Sequence, residues 1–434
     1  MHGKYSYLED LAYSTGVQAF IYGYPLIAVE RTRQLQTVTD IPTDPPLIAS
    51  NVFFNKIITP EFKDVVSPNV DTLYCFAWLD LTKQPVVLHV PDTKDRYYVM
   101  ELVDAYSNNF SCIGRRATGT KAGKFAIVGP DWKGVLPYDV KKVITPTNTV
   151  WIVGRVLMKG EDDFDAAYKI LKQFKLTSLD SRKSPYKIET ANKVLLENKP
   201  EELCPIAFFK TMTDLMILNP TEFGAVEKQF EHIGIDLTHG FDIDKLEPPV
   251  IAGLKRAVRD AYQIIVNSID KLNPRYNNGW IIYPDIGTYG DRFLIRAIAA
   301  YSGLGAIVNE ESTFPRAFTD ESGNQLNGQY NYVLHFDEDE LPPVGAFWSV
   351  TMYDMDFFLV PNEINRYAIA DYTPGLEFNS DGSLDIYIQE KPPENHESNW
   401  LPAPKDDFNI MLRLYQPDAS ILNGDYVIPG VKRV

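Results

Sequence analysis

The chain is short of cysteine, of paired histidines, of positive charge and of long apolar runs, and each shortage removes a class of protein. Three cysteines in 434 residues, Cys75, Cys112 and Cys204, cannot all pair within one chain, and none has the spacing of a redox or zinc motif; three reduced, buried thiols are expected. The six histidines, His2, His89, His232, His239, His335 and His396, form no H-x-H or H-x-x-x-H pair, which argues against a metal centre; His89 and His335 fall in predicted strands as structural residues. Lys and Arg number 42 against 58 Asp and Glu, and the net charge of −16 speaks against nucleic acid or an anionic membrane face as a partner. No run reaches the length of a membrane span, and residues 1–30 lack a basic start, apolar core and small-residue cleavage site. The expected location is cytoplasmic or virion-associated as written, or periplasmic had a leader been removed. No cofactor is implied.

What the chain does have is 12% aromatic residues, with 25 Tyr and 23 Phe, a bias toward strands with wide side chains. Leu8, Leu11, Ala12, Val17 and Ile21 make an imperfect helical stripe that stops at Gly23-Tyr24-Pro25, with a further amphipathic piece from Leu26 to about Gln36. Thr72–Leu81, Val86–Val90, Tyr97–Val103, Phe110–Gly114, Phe125–Val128 and Val150–Met158 read as short antiparallel strands. Residues 162–306 carry helical spacing in Phe164/Ala167/Tyr168/Leu171, Phe208/Met212/Leu215/Met216 and Leu254/Val258/Ala261/Ile265, interrupted by a polar connection over Ser181–Pro200. Strands return in Tyr332–Phe336, Phe347–Tyr353, Phe357–Val360, Leu384–Ile388 and Asn409–Tyr415, with Asp381-Gly382 as a hairpin signal. The expected fold is α+β: two antiparallel, jelly-roll-like β-sandwich domains joined by a helical region. The segments are 1–60 (helical lead-in), 61–160 (first sandwich), 161–310 (helices) and 311–434 (second sandwich).

The two β-rich regions share an order of landmarks. Tyr74 lies eleven residues before Pro85-Val86, and Tyr332 eleven before Pro343-Val344. An apolar strand then runs into an acid, Met100–Asp104 and Val350–Asp354; Arg115 and Arg366 follow; each region closes on a strand bearing one arginine, Arg155 and Arg413. The order points to a duplicated sandwich, although alternation and turn residues are common to all antiparallel sandwiches.

Standard catalytic motifs fail. Gly119–Phe125 has one residue too few between its glycines for a phosphate-binding loop and lies between two strands, so it is read as a hairpin loop. Tyr301-Ser302-Gly303 lacks the glycine a nucleophile elbow needs. Asp162-Asp163 and Asp337–Glu340 read as solvated turns. What remains are polar loops beside the strands. Asn69, Asp71 and Tyr74 follow a Ser-Pro turn; Asp104, Tyr106 and Asn108 form a second group; Asn362, Arg366 and Tyr367 a third. Amide, carboxylate, guanidinium and phenol groups together suit a polyhydroxylated or carboxylated ligand. The neighbours Arg115 and Arg116 suit a bidentate clamp on an anion; equally, one of them pairs with Asp71 or Asp104 inside the sheet.

At these residues the chain resembles a family. Tyr22-Gly23-Tyr24-Pro25, Ser67-Pro68-Asn69-x-Asp71-Thr72-Leu73-Tyr74, Ala77–Leu81, Gly114-Arg115-Arg116-x-Thr118-Gly119 and Gly129-Pro130-x-Trp132 resemble domain of unknown function 1254. Phe347–Asp354, Asn365-Arg366-Tyr367, Asp381–Leu384, Asn399–Pro404 and Leu412–Tyr415 with Pro417 resemble its C-terminal companion, domain of unknown function 1214. The resemblance implies β-sandwich domains joined by helices, in soluble proteins of bacteria and some large viruses. It implies no reaction. Exported members are common in bacteria, and this chain shows no leader. The expected function is binding of a carbohydrate or small polar ligand within a homo-oligomer. One alternative is a hydrolase or lyase with Asp71 or Asp104 as general base and Arg115 or Arg366 stabilising negative charge; another is a structural component of a particle or surface layer.

Overall fold

A computed structural model describes residues 6–37, 58–63, 66–180 and 192–434; residues 38–57 of the lead-in and 181–191 of the polar connection lie outside the described residues. The chain is α+β, with several mainly antiparallel sheets and a helical layer.

The first β unit has eight strands: β1 (Thr72–Asp80), β2 (Val86–Val90), β3 (Tyr98–Asp104), β4 (Asn109–Gly114), β5 (Gly123–Val128), β6 (Lys141–Ile144), β7 (Thr149–Leu157) and β8 (Lys175–Ser178). They form two sheets, ordered β1-β7-β3-β4 and β6-β5-β2-β8. Alternation decides what each face does. Along β3, Tyr98, Met100 and Leu102 point into a cluster shared with Leu88 and Ile127 of the other sheet, while Tyr97, Val99, Glu101 and Val103 take the opposite face. That opposite face is covered too, so β3 is buried along its whole length. Gly154 of β7 sits in register between Cys75 and Met100, whose sulfurs meet at 3.8 Å; a Cβ there would lie 2.3 Å from the Cys75 sulfur, which is why a glycine interrupts this strand.

The second β unit follows the same plan. Its strands are β9 (Arg316–Ala317), β10 (Tyr332–Phe336), β11 (Val344–Asp354), β12 (Ala368–Ala370), β13 (Leu384–Gln389), β14 (Trp400–Pro402), β15 (Phe408–Pro417) and β16 (Val431–Arg433). One sheet contains the run β9-β15-β11-β12 and the other is β14-β13-β10-β16. The pairing senses also correspond: β5–β6 and β13–β14 are parallel, and the remaining ladders of these runs are antiparallel. Both third strands end in one turn. Asp104 Oδ1 accepts from the backbone N–H of Tyr106 and Asn108, and Asp354 Oδ1 from Asp356 and Phe358; Ser107 and Phe357 adopt φ of 69° and 66°. Arg155 lies opposite Val99 and Arg413 opposite Ser349, each five residues before its turn aspartate.

This register corrects two of the landmarks. Tyr74 is on β1, whereas Tyr332 is on β10, which takes the place of β2. Arg115 follows β4, but Arg366 precedes β12. Gly119–Phe125 is no hairpin: β4 pairs with β3 and β5 with β2, so the segment crosses between sheets. The Asp381-Gly382 turn likewise launches β13, which pairs with β10 and β14 and has no hairpin partner across that turn.

The helical layer is built on α1 (Ser6–Thr37), which continues through Pro25. Residues 19–27 of α1 are all buried, among α3 (Pro205–Leu218), α4 (Pro248–Val266) and α5 (Phe293–Gly303), while the shorter α2 (Phe164–Leu171) packs under the first β unit. A helix buried on every side has no stripe to read, which explains the imperfect periodicity. Gly23 serves close approach instead of termination: a Cβ there would sit 2.4 Å from the Met212 sulfur of α3. Cys75 and Cys112 are buried, but Cys204, just before α3, is exposed, contrary to the expectation of three buried thiols. His335 is held between Asp385 at 2.6 Å and Asp337 at 3.1 Å, and Asp163 pairs with Arg96, so these polar groups serve local structure. Among the described residues no helix is long and apolar enough to cross a membrane.

Candidate functional site

The outer face of the β1-β7-β3-β4 sheet is apolar at both ends. At one end α1 covers it, with Val29 against Trp78, Trp151, Val103 and Val153. At the other end the second β unit covers it, with Phe347 and Tyr415 against Tyr97, Val99 and Leu157. Between these patches runs a buried polar strip. Arg155 donates from Nε to Glu101 Oε1 at 2.8 Å and from an Nη to the Tyr74 hydroxyl, with its guanidinium 4.8 Å from the Tyr74 ring centre. Glu101 Oε2 accepts from Asn109 Nδ2 at 3.2 Å, and the Cys112 thiol donates to Asn109 Oδ1 at 3.6 Å. Glu311 accepts from the Tyr97 hydroxyl at 3.0 Å and from Arg116 Nε at 2.6 Å.

The strip continues into the second unit. Asn69 donates from Nδ2 to Thr72 Oγ1 and to the Tyr415 hydroxyl, and its Oδ1 accepts the Asp71 N–H. Asp71 accepts from Ser349 Oγ at 2.6 Å and from the Tyr372 hydroxyl at 2.7 Å. Arg413 donates to the Ser67 carbonyl and to the Tyr353 hydroxyl at 2.5 Å, while its buried Nε has no partner among the described residues.

Each predicted group therefore has a definite place. Asn69, Asp71 and Tyr74 come together, with their polar atoms engaged and with Asn69 and Asp71 3% and 1% exposed. Asp104, Tyr106 and Asn108 lie apart, in the turn facing the helices: Asp104 binds its own turn, and the Tyr106 ring packs 5.4 Å from Tyr22 and against the Arg296 guanidinium. Arg115 and Arg116 diverge. Arg115 donates to the Gly345 carbonyl and Gln416 Oε1 and pairs with Asp95, whereas Arg116 pairs with Glu311. Neither is bonded to Asp71 or Asp104, whose nearby cations are Arg413 and Arg296. Asn362, Arg366 and Tyr367 form a separate loop in which Asn362 holds the Arg366 backbone and Arg366 donates to the carbonyls of Glu397, Ser398 and Trp400. Glu101 and Glu311 escaped sequence reasoning; in a β-strand a single acid such as Glu101 signals nothing until its cross-strand partner is known.

Beside Asn109 the strip reaches solvent. A pocket of about 180 Å³ opens there, lined by Asn109, Phe110, Ser111, Cys112 and Arg116 of the first unit together with Thr288 and Val308. Thr288 Oγ donates to the Asn109 carbonyl and fixes this wall. Among the described residues, no group of three or more His, Cys, Asp or Glu is placed to hold a metal ion.

Burial governs the protonation of the strip. Loss of water pushes Glu101 from 4.5 up to about 7, opposed by the Arg155 charge. Asp71, Asp104 and Glu311 are raised for the same reason, and burial likewise raises the Cys112 thiol. A carboxyl raised in the native state keeps a proton that the unfolded chain has released. Glu101 therefore removes stability progressively as pH climbs from about 4.5 to about 7, and no more above that. Urea midpoints should fall between about pH 5 and about pH 8, with a smaller fall in Glu101→Gln; identical slopes for the two proteins would contradict this account.

Residues 50–178 match the family described as "Protein of unknown function (DUF1254)", and residues 311–419 match "Protein of unknown function (DUF1214)". The two matches fall in the order the resemblance implies, DUF1254 toward the N-terminus and DUF1214 toward the C-terminus. The DUF1254 match spans the first β unit through β8, and the DUF1214 match reaches the end of β15. The fold is that of the VPA0106 protein from Vibrio parahaemolyticus, with a TM-score of 0.75 at 24% identity over 98% of this chain and 100% of that one. An uncharacterised protein from Burkholderia cenocepacia gives a TM-score of 0.48 at 12% identity, over 99% of this chain and 96% of the other. A search of the curated proteins gives no match.

Proposed function

We propose that this DUF1254–DUF1214 chain binds a small polar ligand or carbohydrate in the pocket beside β4. One observation carries the reading: the cleft is lined by residues bearing amide, hydroxyl, thiol and guanidinium groups together with Phe110 and Val308, the mix of polar groups and apolar surface that small-molecule sites use. Of the residues picked from the sequence, Arg116 lies in this cleft. Catalysis through Asp71 or Asp104 has less support, because each carboxylate is buried and already accepts hydrogen bonds on both oxygens. The test is a thermal-shift and calorimetric screen of monosaccharides and small polar metabolites against the wild type and Phe110→Ala. A saturable hit that weakens in Phe110→Ala is the expected result; the absence of any hit at millimolar ligand counts against the pocket.

We also read each β unit as a jelly-roll-like sandwich and the pair as products of one duplication. The shared strand order, the matching parallel ladder, the aspartate turns and the arginine register support this. An experimental structure in which β14 ran antiparallel to β13 would end the idea.

A further inference from the structure

We propose that the ligand of this pocket carries a single carboxylate, gripped by the outer edge of the Arg116 guanidinium; this rests on the reading of the pocket as a binding site. Arg116 is the one charged residue in the pocket lining. Its Nε is committed to Glu311 Oε2, and Glu311 is fully buried with its other oxygen taken by the Tyr97 hydroxyl. The two Nη groups have no carboxylate, carbonyl or hydroxyl partner among the described residues, and the Arg116 side chain is 36% exposed beside the Cys112 thiol. Around it, Asn109 Oδ1 holds the thiol and the Asn109 carbonyl holds Thr288. The charged donors of this lining are the Nη groups, beside the Ser111 hydroxyl, which donates or accepts, and the apolar Phe110 and Val308. Two parallel N–H groups match the two oxygens of a carboxylate. Arg116 already answers Glu311 and lies near exposed Glu310, so its Nη fork supplies hydrogen bonds more than free charge, and a singly charged group is the most this wall can hold. A phosphate dianion would need more cations than this wall supplies. The ligand class is a small monocarboxylate with a short hydroxylated or apolar tail.

Occupancy is read on the full chain as protection against thermal unfolding in low-chloride buffer. The additives, at millimolar concentration, are lactate, propane-1,2-diol, glucose and chloride. Lactate should raise the melting temperature saturably, with the diol, the sugar and chloride inert at equal concentration. Arg116→Lys keeps a cation against Glu311 but loses the fork, and should raise the protecting lactate concentration about tenfold. Protection by glucose or the diol but not by lactate overturns the carboxylate assignment and leaves the pocket reading standing. Equal protection by chloride, or an unchanged lactate midpoint in Arg116→Lys, overturns the assignment too. Protection by none of the additives removes both. Circular dichroism and a thermal melt of Arg116→Lys establish that it is folded before its midpoint is read.

Discussion

Arg155→Ala is expected to lower the free energy of unfolding by about 3–5 kcal/mol, because it leaves a buried carboxylate without its cation. Glu101 is fully buried, and Arg155 supplies both its hydrogen bond at 2.8 Å and its countercharge; the Asn109 amide alone cannot replace them. The Tyr74 hydroxyl loses its Arg155 donor in the same change, while Asn69 Nδ2 still donates to it at 3.4 Å. Chemical denaturation measures the loss, and a cost below about 1 kcal/mol would show that Glu101 simply takes up a proton. The double variant Arg155→Met with Glu101→Leu separates charge from shape. It should be more stable than Arg155→Ala, since no uncompensated group then stays in the core.

Asp71→Ala is the second large effect, again about 3–5 kcal/mol. Both oxygens of Asp71 are bound from the other β unit, by Ser349 on β11 and by Tyr372 just after β12. Removing them leaves two buried hydroxyls unpaired and takes countercharge from Arg413, whose Nε already lacks a partner among the described residues. Asp71→Asn keeps the shape, and the hydroxyls can reorient toward its amide; about 1–3 kcal/mol is expected. Hydrogen exchange distinguishes this change from a generic loss of stability. Amides at the start of β1 and along β11 should open before those of β5 or β13, because the contact broken is the one between units. Uniform acceleration everywhere would show that Asp71 does not join the two halves.

These two residues also mark how much the sequence discloses. Asp71 is legible because Ser67-Pro68-Asn69 announces a turn before a strand. Glu101 is not, because its partner Arg155 is 54 residues away and the two meet only through the register of β3 on β7. The strands rich in aromatic and branched residues are readable one by one, except that Phe357–Val360, expected as a strand, is irregular backbone after the Asp354 turn. β6 and β8 were not: with sequences KKVI and KLTS they are half-exposed edge strands whose alternation hardly differs from a loop. Pro25 misleads for a physical reason as well. Burial of residues 19–27 on all sides holds α1 together across a missing N–H, something no local propensity encodes. Arg116 aside, the pocket lay beyond reach, since Thr288 and Val308 approach β4 from nearly two hundred residues further along the chain.

The first helix carries a cost during synthesis. Its Gly16 packs on Ala257 and Leu254, and Tyr22 packs on Phe293, so its partners are translated more than two hundred residues later. At roughly 5–20 residues per second, a nascent chain holds Phe20, Tyr24 and Ile27 without their native cover for on the order of ten seconds or longer. Until then the emerging segment exposes the apolar surface that makes partly synthesised chains prone to aggregate.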